Sequence, residues 1–471
     1  MFDRRVTLTI VDGIRIVVPD SLNLITPYVL VEQQDWFEDE LRFVRAVLQP
    51  GSVVIDIGAN YGVYTLSMAH VVGPSGAVYA FEPASRTASY LRDSLDANGF
   101  RQVVLAQAAL SSAPGLLPLT LHDNSELNSL TATATDNAAV EWVDVVTLDE
   151  CLDRYSWSAI DFLKIDAEGE ELKILKGAER FLSTLSPLIE FEIRAGTSFN
   201  FEMIEELKLY DFQFYRLVPG LNALVPFDPR ATPDPFLLNL FAAKPDSVAR
   251  LRGMGRLVDQ VRPPDQTPSH LVEQWGQPRH HWSQALGAMP YGNALRADWE
   301  RARHGRDGDD LDHALTLYAM SQDVQLPLAT RFHALELCMQ SFAQLCAVYP
   351  RQLHQASFAR AALDYGARSA AVQELVTRIN LLQQEQQVDL TAPFLAAIPR
   401  FDQLAPRGQL PSWAAAALLE AIEIAGAYSS FYTAGDNRQR LEFLVNLGFA
   451  GPEIERRLQL VRARFPTPAS T

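Results

Sequence analysis

Ten residues, Val53 to Gly62, constrain this chain more than any others: Val-Val-Ile-Asp-Ile-Gly-Ala-Asn-Tyr-Gly. Four of the first five are apolar and mostly β-branched; glycines then break the run, and Val63 to Ala69 continues in a helix-compatible pattern. An apolar strand, a tight glycine turn and a helix start spell a strand buried on both faces, as in a parallel sheet. Such a turn presents backbone N–H groups at the carboxyl end of a strand, where open α/β sheets take nucleotide-like ligands. Asp56 closes the strand, placed to order the turn or to accept hydrogen bonds from a ligand. The spacing is Gly58-x-x-x-Gly62, not Gly-x-Gly-x-x-Gly, so no pyrophosphate cradle is spelled out.

The flanking sequence supplies the rest of a sheet. Two β-branched runs around Asp12-Gly13 predict a hairpin. Residues Glu32 to Leu48 read as a helix with Trp36, Phe37, Leu41, Val44 and Val47 on one face, stopped by Pro50-Gly51. A second strand, Gly76 to Phe81, ends at Glu82, where a carboxylate is placed to take the two hydroxyls of a ribose. A helix over Thr87–Asn98 stops at Gly99, and strands follow at Val103 to Ala106 and Leu116 to Leu121. His122 to Thr135 is polar and aperiodic and reads as a lid or acceptor loop. Val143–Thr147 and Leu148–Leu152 read as a short strand and a turn. Ile160 to Gly169 is a further buried strand ending in Asp166 and Glu168, and Glu170–Phe181 reads as the helix after it. Pro187 to Ile193, with Glu190 and Glu192 alternating, makes a fifth strand; Phe212–Val218 and Phe236–Ala243 close the sheet. Strands alternating with helices define an α/β domain.

Composition bounds what such a chain does. Its 471 residues suffice for two or three domains, and 48% hydrophobic with 21% charged content is that of a soluble globular protein. The N-terminal residues lack the apolar core of a signal peptide. The most apolar later stretch, Trp413 to Phe431, carries Glu420 and Glu423 and is a poor membrane span. Three cysteines without a Cys-x-x-Cys pair suit a reducing cytoplasm. The net charge of −17 divides into −16 over residues 1–244 and −1 over 245–471. An acidic first half argues against nucleic acid as a partner, because phosphate backbones require clustered Lys and Arg. After Pro245 the character changes: Pro263-Pro264-Asp-Gln-Thr-Pro268 is linker-like, and from Asn293 helix formers dominate, interrupted by Pro327, Pro350, Pro393, Pro399 and Pro411. No fixed 34-residue repeat is present. The expected organisation is a hairpin and helix at 1–50, an α/β ligand-binding domain at 51–244, a junction at 245–292 and an all-helical domain at 293–471.

Four ordered pieces resemble the FkbM-type methyltransferases. They are Val54-Ile-Asp56-Ile-Gly58-Ala-Asn60-Tyr-Gly62, Tyr79-Ala-Phe-Glu82-Pro83, Val145-Val-Thr-Leu-Asp149 and Leu163-Lys-Ile-Asp166-Ala-Glu168-Gly169, the last followed by Glu171-Leu-Lys-Ile-Leu-Lys176-Gly177. The resemblance spans roughly residues 50–200. It implies a Rossmann-like methyltransferase sheet, S-adenosyl-L-methionine as methyl donor and transfer to a hydroxyl of a small molecule or saccharide. In that frame Asp56, Gly58, Asn60 and Gly62 form the turn that meets the donor, Glu82 takes its ribose and Ser111 lies toward its adenine. Asp166 and Glu168 face the methyl group and acceptor, and with His122 they are the candidate bases. Lys164 is expected to point away from the ligand or to pair with an acid. No compact ligand run demands a metal. Two other readings stay open: a donor-binding scaffold without activity, and a nicotinamide-dependent oxidoreductase, which the missing Gly-x-Gly-x-x-Gly disfavours.

Residues 245–471 lie outside the resemblance and read as an added module that recruits acceptor, a protein partner or another copy of the chain. Leu335, Leu337, Phe342 and Leu345 are expected in its core. Trp275, His280, His281 and Trp282 are read as junction aromatics packed on a domain rather than as sugar-stacking or metal-binding residues.

Overall fold

Alternation of apolar side chains along the strands builds a sheet covered on both faces. The computed structural model describes residues 4–122, 125, 128–130, 139–195, 198–199, 201–258, 268–275, 281–302, 307–349, 352–385 and 390–466. The chain divides into two compact units. One comprises Met1–Leu217, Leu224–Pro233 and Leu237–Leu257; the other comprises Val218–Ala223, Asp234–Phe236 and Val258–Thr471.

The first unit opens with the expected hairpin, β1 (Arg5–Thr9) and β2 (Arg15–Pro19), Thr9 opposite Arg15. Asp12 and Gly13 take φ of 61° and 73° in its turn, a left-handed backbone that this pair tolerates. Helix α1 (Ile25–Gln33) ends where Gln34 adopts φ 61° and its N–H donates to the Leu30 carbonyl, and the helix expected over Glu32–Leu48 starts later, as α2 (Asp39–Val47). Next come β3 (Val53–Ile57), α3 (Val63–Val72), β4 (Ala77–Phe81), α4 (Ser85–Asn98, capped by left-handed Gly99) and β5 (Val103–Ala106). Ser94 and Asn98 of α4 accept the Val17 and Arg15 N–H groups, tying the hairpin to this helix.

A small second sheet follows: β6 (Ala109–Leu110), β7 (Gly115–Leu121), β8 (Ser129–Leu130) and β9 (Ala139–Val146), in the order β6-β9-β7-β8. Most of the aperiodic loop between His122 and Thr135 lies outside the described residues. Leu148–Leu152, expected as a turn, is helical in α5 (Leu148–Arg154): the Thr147 hydroxyl accepts from Glu150 N–H while the Glu150 carboxylate accepts from Thr147 N–H. After β10 (Phe162–Ile165) the expected single helix divides into α6 (Glu171–Lys176) and α7 (Glu179–Thr184). Asp149 caps α7 by accepting the Arg180 and Phe181 N–H groups at 3.1 and 2.8 Å. The unit ends with β11 (Leu188–Glu192), the small hairpin β12 (Arg194–Ala195) and β13 (Ser198–Phe199), α8 (Glu202–Lys208), β14 (Gln213–Val218), β15 (Ala223–Pro226), β16 (Asn239–Ala243) and α9 (Pro245–Gly253).

The main sheet runs β15-β14-β16-β11-β10-β3-β4-β5. Strands β5, β4, β3, β10 and β11 are mutually parallel, and β16 runs antiparallel to both β11 and β14. From β3 the chain builds outward through β4 and β5, then returns to the other side of β3 with β10. The sheet therefore reverses its winding between β3 and β10, and there the carboxyl ends leave a crevice. Val54, Val78, Phe162 and Phe241 join one apolar cluster, while their neighbours Ile55, Leu163, Ile189 and Leu240 join another on the opposite face. Period-two alternation into two cores makes a three-layer α/β/α unit.

In the second unit every described element longer than a single 3₁₀ turn is an α-helix: α10 (Pro268–Trp275), α11 (His281–Ala288), α12 (Pro290–Ala302), α13 (Gly308–Gln322), α14 (Leu328–Val348), α15 (Gln352–Tyr365), α16 (Arg368–Glu385), α17 (Leu410–Ala425), α18 (Arg438–Asn446) and α19 (Pro452–Arg464). Thus the 245–292 segment, expected as a junction, holds α9, α10 and α11. Trp282 is buried and donates to Asp312, and Trp275 donates to Asp323, so both indoles are packed within the helical unit. His280 and the His281 side chain lie outside what is described. Leu335, Leu337, Phe342 and Leu345 are buried, as is most of α17. Among the described residues no helix is long and apolar enough to cross a membrane.

Candidate functional site

The crevice at the winding reversal is a cavity open to solvent, lined by the tips of β3, β4 and β10, the segment after β5 and the α1–α2 connection. Backbone geometry sets its floor. A Cβ at Gly58 would lie 1.7 Å from the Asp166 carbonyl oxygen, and one at Gly62 would lie 2.3 Å from a Leu91 methyl. Both residues have left-handed φ, +79° and +95°. The two glycines thus let β3 and its turn settle against β10 and α4, and the cavity wall follows from that packing.

Two carboxylates hold the turn. Glu82, at the tip of β4, accepts the Asn60 N–H on one oxygen and the Ala84 N–H on the other, each at 2.9 Å. It is almost fully buried, and burial raises its carboxyl to about 7 against those two hydrogen bonds. Each of its oxygens keeps a further lone pair for a hydroxyl donor. Asp56 accepts the Thr65 hydroxyl on one oxygen at 2.5 Å. Its other oxygen is buried with no hydrogen-bond partner among the described residues, and burial raises its carboxyl. Asn60, at φ 49°, accepts the Ser125 hydroxyl at 2.8 Å.

On the opposite wall the ammonium of Lys164, buried at the end of β10, lies 2.5 Å from Asp166 and 4.5 Å from the Tyr64 ring centroid. Lys164 faces the cavity and pairs with an acid at once. Burial works against its charge, but Asp166, Asp56, Glu38 and Glu190 outweigh that and hold the ammonium above its ordinary range. The Tyr64 hydroxyl sits 2.7 Å from a Glu38 oxygen and 2.8 Å from a Glu190 oxygen. One hydroxyl carries one proton, so while it donates to one carboxyl it can accept from the other only where that carboxyl is protonated. Burial raises the carboxyls of Glu38 and Glu190, the latter to about 8, and that of nearby Glu192 also to about 8.

The sequence-derived candidates distribute as follows. Asp56, Gly58, Asn60, Glu82, Asp166 and Glu168 all line the cavity. Glu168 is exposed at φ 48°, in a loop held by Glu171, which accepts the Ala167 and Gly169 N–H groups. Gly62 shapes the turn from beneath. Ser111 is buried outside the lining and donates to Glu170 at 2.8 Å; Ala108, Ala109 and Leu110 line the cavity where it was expected. His122 is exposed and outside the lining, its N–H donating to Asn128. Sequence reading missed Trp36, Glu38 and Tyr64 as lining residues. It noted Glu190 only as an acid alternating along a strand.

Among the described lining residues Lys164 is the only cation, against Glu38, Asp56, Glu82, Asp166, Glu168 and Glu170. A phosphate-bearing ligand finds no free positive group here, whereas a cationic one meets carboxylates on two walls.

Residues 56–214 match the methyltransferase FkbM domain family. The chain is 31% identical to the 31-O-demethyl-FK506 methyltransferase FkbM of Streptomyces tacrolimicus, over 28% of this chain and 61% of that one. It is 32% identical to the methyltransferase sdnD of Sordaria araneosa, over 28% and 63%. It is 27% identical to the hexuronic acid methyltransferase AglP of Haloferax volcanii, over 34% and 63%. The chain therefore spans under two thirds of the length of these relatives.

Proposed function

We propose, for a chain whose residues 56–214 match the methyltransferase FkbM domain family, an enzyme that transfers a methyl group from S-adenosylmethionine to a hydroxyl of a saccharide or glycan-type acceptor. The observation that carries the donor assignment is Glu82: a buried carboxylate at the second strand tip, bonded to the Asn60 N–H and still able to accept two hydroxyls. The lining charge agrees, since the donor brings a sulfonium and an ammonium and the wall offers carboxylates with one paired lysine. The unpartnered oxygen of Asp56 offers an acceptor for a donor N–H. The names of two relatives, a 31-O-demethyl-FK506 methyltransferase and a hexuronic acid methyltransferase, support oxygen as the methylated atom.

In this reading the donor supplies the activated methyl group, and the protein's contribution is alignment. Glu82 and the Gly58–Gly62 turn fix the donor, so that an acceptor hydroxyl held in the same cavity approaches in line. Asp166 lines the cavity with its carboxylate partly exposed and held by Lys164, and we assign it to orient that hydroxyl and take its proton. Glu168 is the second candidate for this role.

Calorimetric titration with S-adenosylhomocysteine, beside Glu82→Ala, tests the donor site. Micromolar binding that the variant loses supports it; a folded wild type that does not bind refutes it. Asp166→Asn is expected to bind the donor product normally and to lose roughly 10²–10⁴-fold in turnover.

A further inference from the structure

The Glu38–Tyr64–Glu190 contact sets two carboxyls on one tyrosine hydroxyl, an arrangement with room for one proton more than the hydroxyl supplies, and it borders a cavity rich in carboxylates. We infer that this cavity reads the charge of its occupant: a cation expels that proton to solvent, and a neutral molecule of the same shape leaves it in place. This rests on the donor assignment proposed above and adds how donor is told from spent product, since methyl transfer turns a sulfonium into a neutral thioether and changes nothing else in the molecule.

The groups facing the cluster come from every neighbouring element. Glu38 and Glu40 come from the start of α2, Tyr64 from α3, Asp56 from β3, Lys164 and Asp166 from β10 and its end, and Glu190 and Glu192 from β11. Four of these carboxyls, Asp166, Asp56, Glu38 and Glu190, act directly on the one ammonium of Lys164. Ionising all of them would crowd like charges against the buried Asp56 and Glu190, so a proton stays between Glu38 and Glu190. A sulfonium in the same cavity provides the missing counter-charge and makes that proton dispensable. A thioether provides none. Linkage then requires donor affinity to rise with pH across neutrality while product affinity stays flat, and loss of charge on transfer loosens the product.

The test is calorimetric titration of the full chain near neutral pH, in two buffers of different ionisation enthalpy. The probes are S-adenosylmethionine, S-adenosylhomocysteine and sinefungin, which carries a protonated amine where the sulfonium stands. The expected result is about one proton released by each cationic probe and none by S-adenosylhomocysteine. The donor should bind more tightly than its product, on the order of tenfold. Glu190→Gln should still bind all three probes but release no proton. Equal proton release with all probes, or product binding as tight as donor, overturns the inference while leaving the donor site standing. Binding of none of the probes overturns the donor assignment itself.

Discussion

Glu190 is the residue whose burial has the clearest thermodynamic consequence. Its folded carboxyl sits at about 8 and its ordinary value is 4.5, because burial penalises the charge more than Lys164 and Tyr64 relieve it. Between those two values the folded state keeps a proton that the unfolded chain has released. The unfolded state then binds fewer protons, and stability falls as pH rises, on the order of 1 kcal/mol per unit. The stabilising protonated form is fully present below the ordinary value and is lost through about 8. Glu190→Gln, neutral at all pH and still able to bond Tyr64, should flatten the decline in melting temperature from pH 5 to 8 and melt higher than wild type at pH 8. Parallel melting curves for the two proteins would refute this. Gly58→Ala is a different case: its Cβ meets a carbonyl oxygen at 1.7 Å with φ at +79°, so about 2–4 kcal/mol of stability should be lost in denaturant titration. Asp56, Asn60, Glu82 and Asp166 were legible in the sequence because each ends or follows a strand, where local pattern alone places it. Glu38 and Tyr64 were not. Tyr64 meets Glu38 across 26 residues and Glu190 across 126, and no local signal marks such a meeting.

At the scale of elements, chain breaks were harder to read than element types. The strands of the main sheet announced themselves by apolar, β-branched runs between turns, and their buried faces follow that alternation. The α6–α7 break falls at Gly177, where a Cβ would lie 2.4 Å from the Ser111 carbonyl, so only glycine fits. The local signal, a glycine after Lys173 and Lys176, does not by itself separate a stop from a glycine tolerated inside a helix. The α5 start, in contrast, carried a readable signature, since Thr147-x-x-Glu150 before an apolar residue is a capping box. The box makes a direct prediction. Thr147→Ala removes the hydroxyl that accepts Glu150 N–H and should cost about 1 kcal/mol in chemical denaturation. Thr147→Ser, which keeps the acceptor, should restore most of it. Equal losses for both variants would mean the methyl packing of Thr147, rather than its cap, carries the effect.

For the molecule as a whole, the two units differ in what a ligand does to them. Every residue lining the cavity lies between Thr26 and Glu170, inside the first unit. The helical unit has its own apolar core, for example Leu419, Leu441, Leu444, Ile454, Leu458 and Val461 together. A ligand that binds only the folded first unit stabilises that unit by mass action, about 2.7 kcal/mol at a hundredfold excess over its dissociation constant. For a unit of this size that is a rise of roughly 5–10 °C in its melting temperature. Differential scanning calorimetry of the full chain with S-adenosylhomocysteine should therefore show one transition moving up and a second, belonging to the helices, staying where it was. A single transition that moves as one would mean the two units unfold together, so that the helical unit's stability is coupled to occupancy of the cavity. Movement of only the helical transition would remove the cavity from the donor assignment.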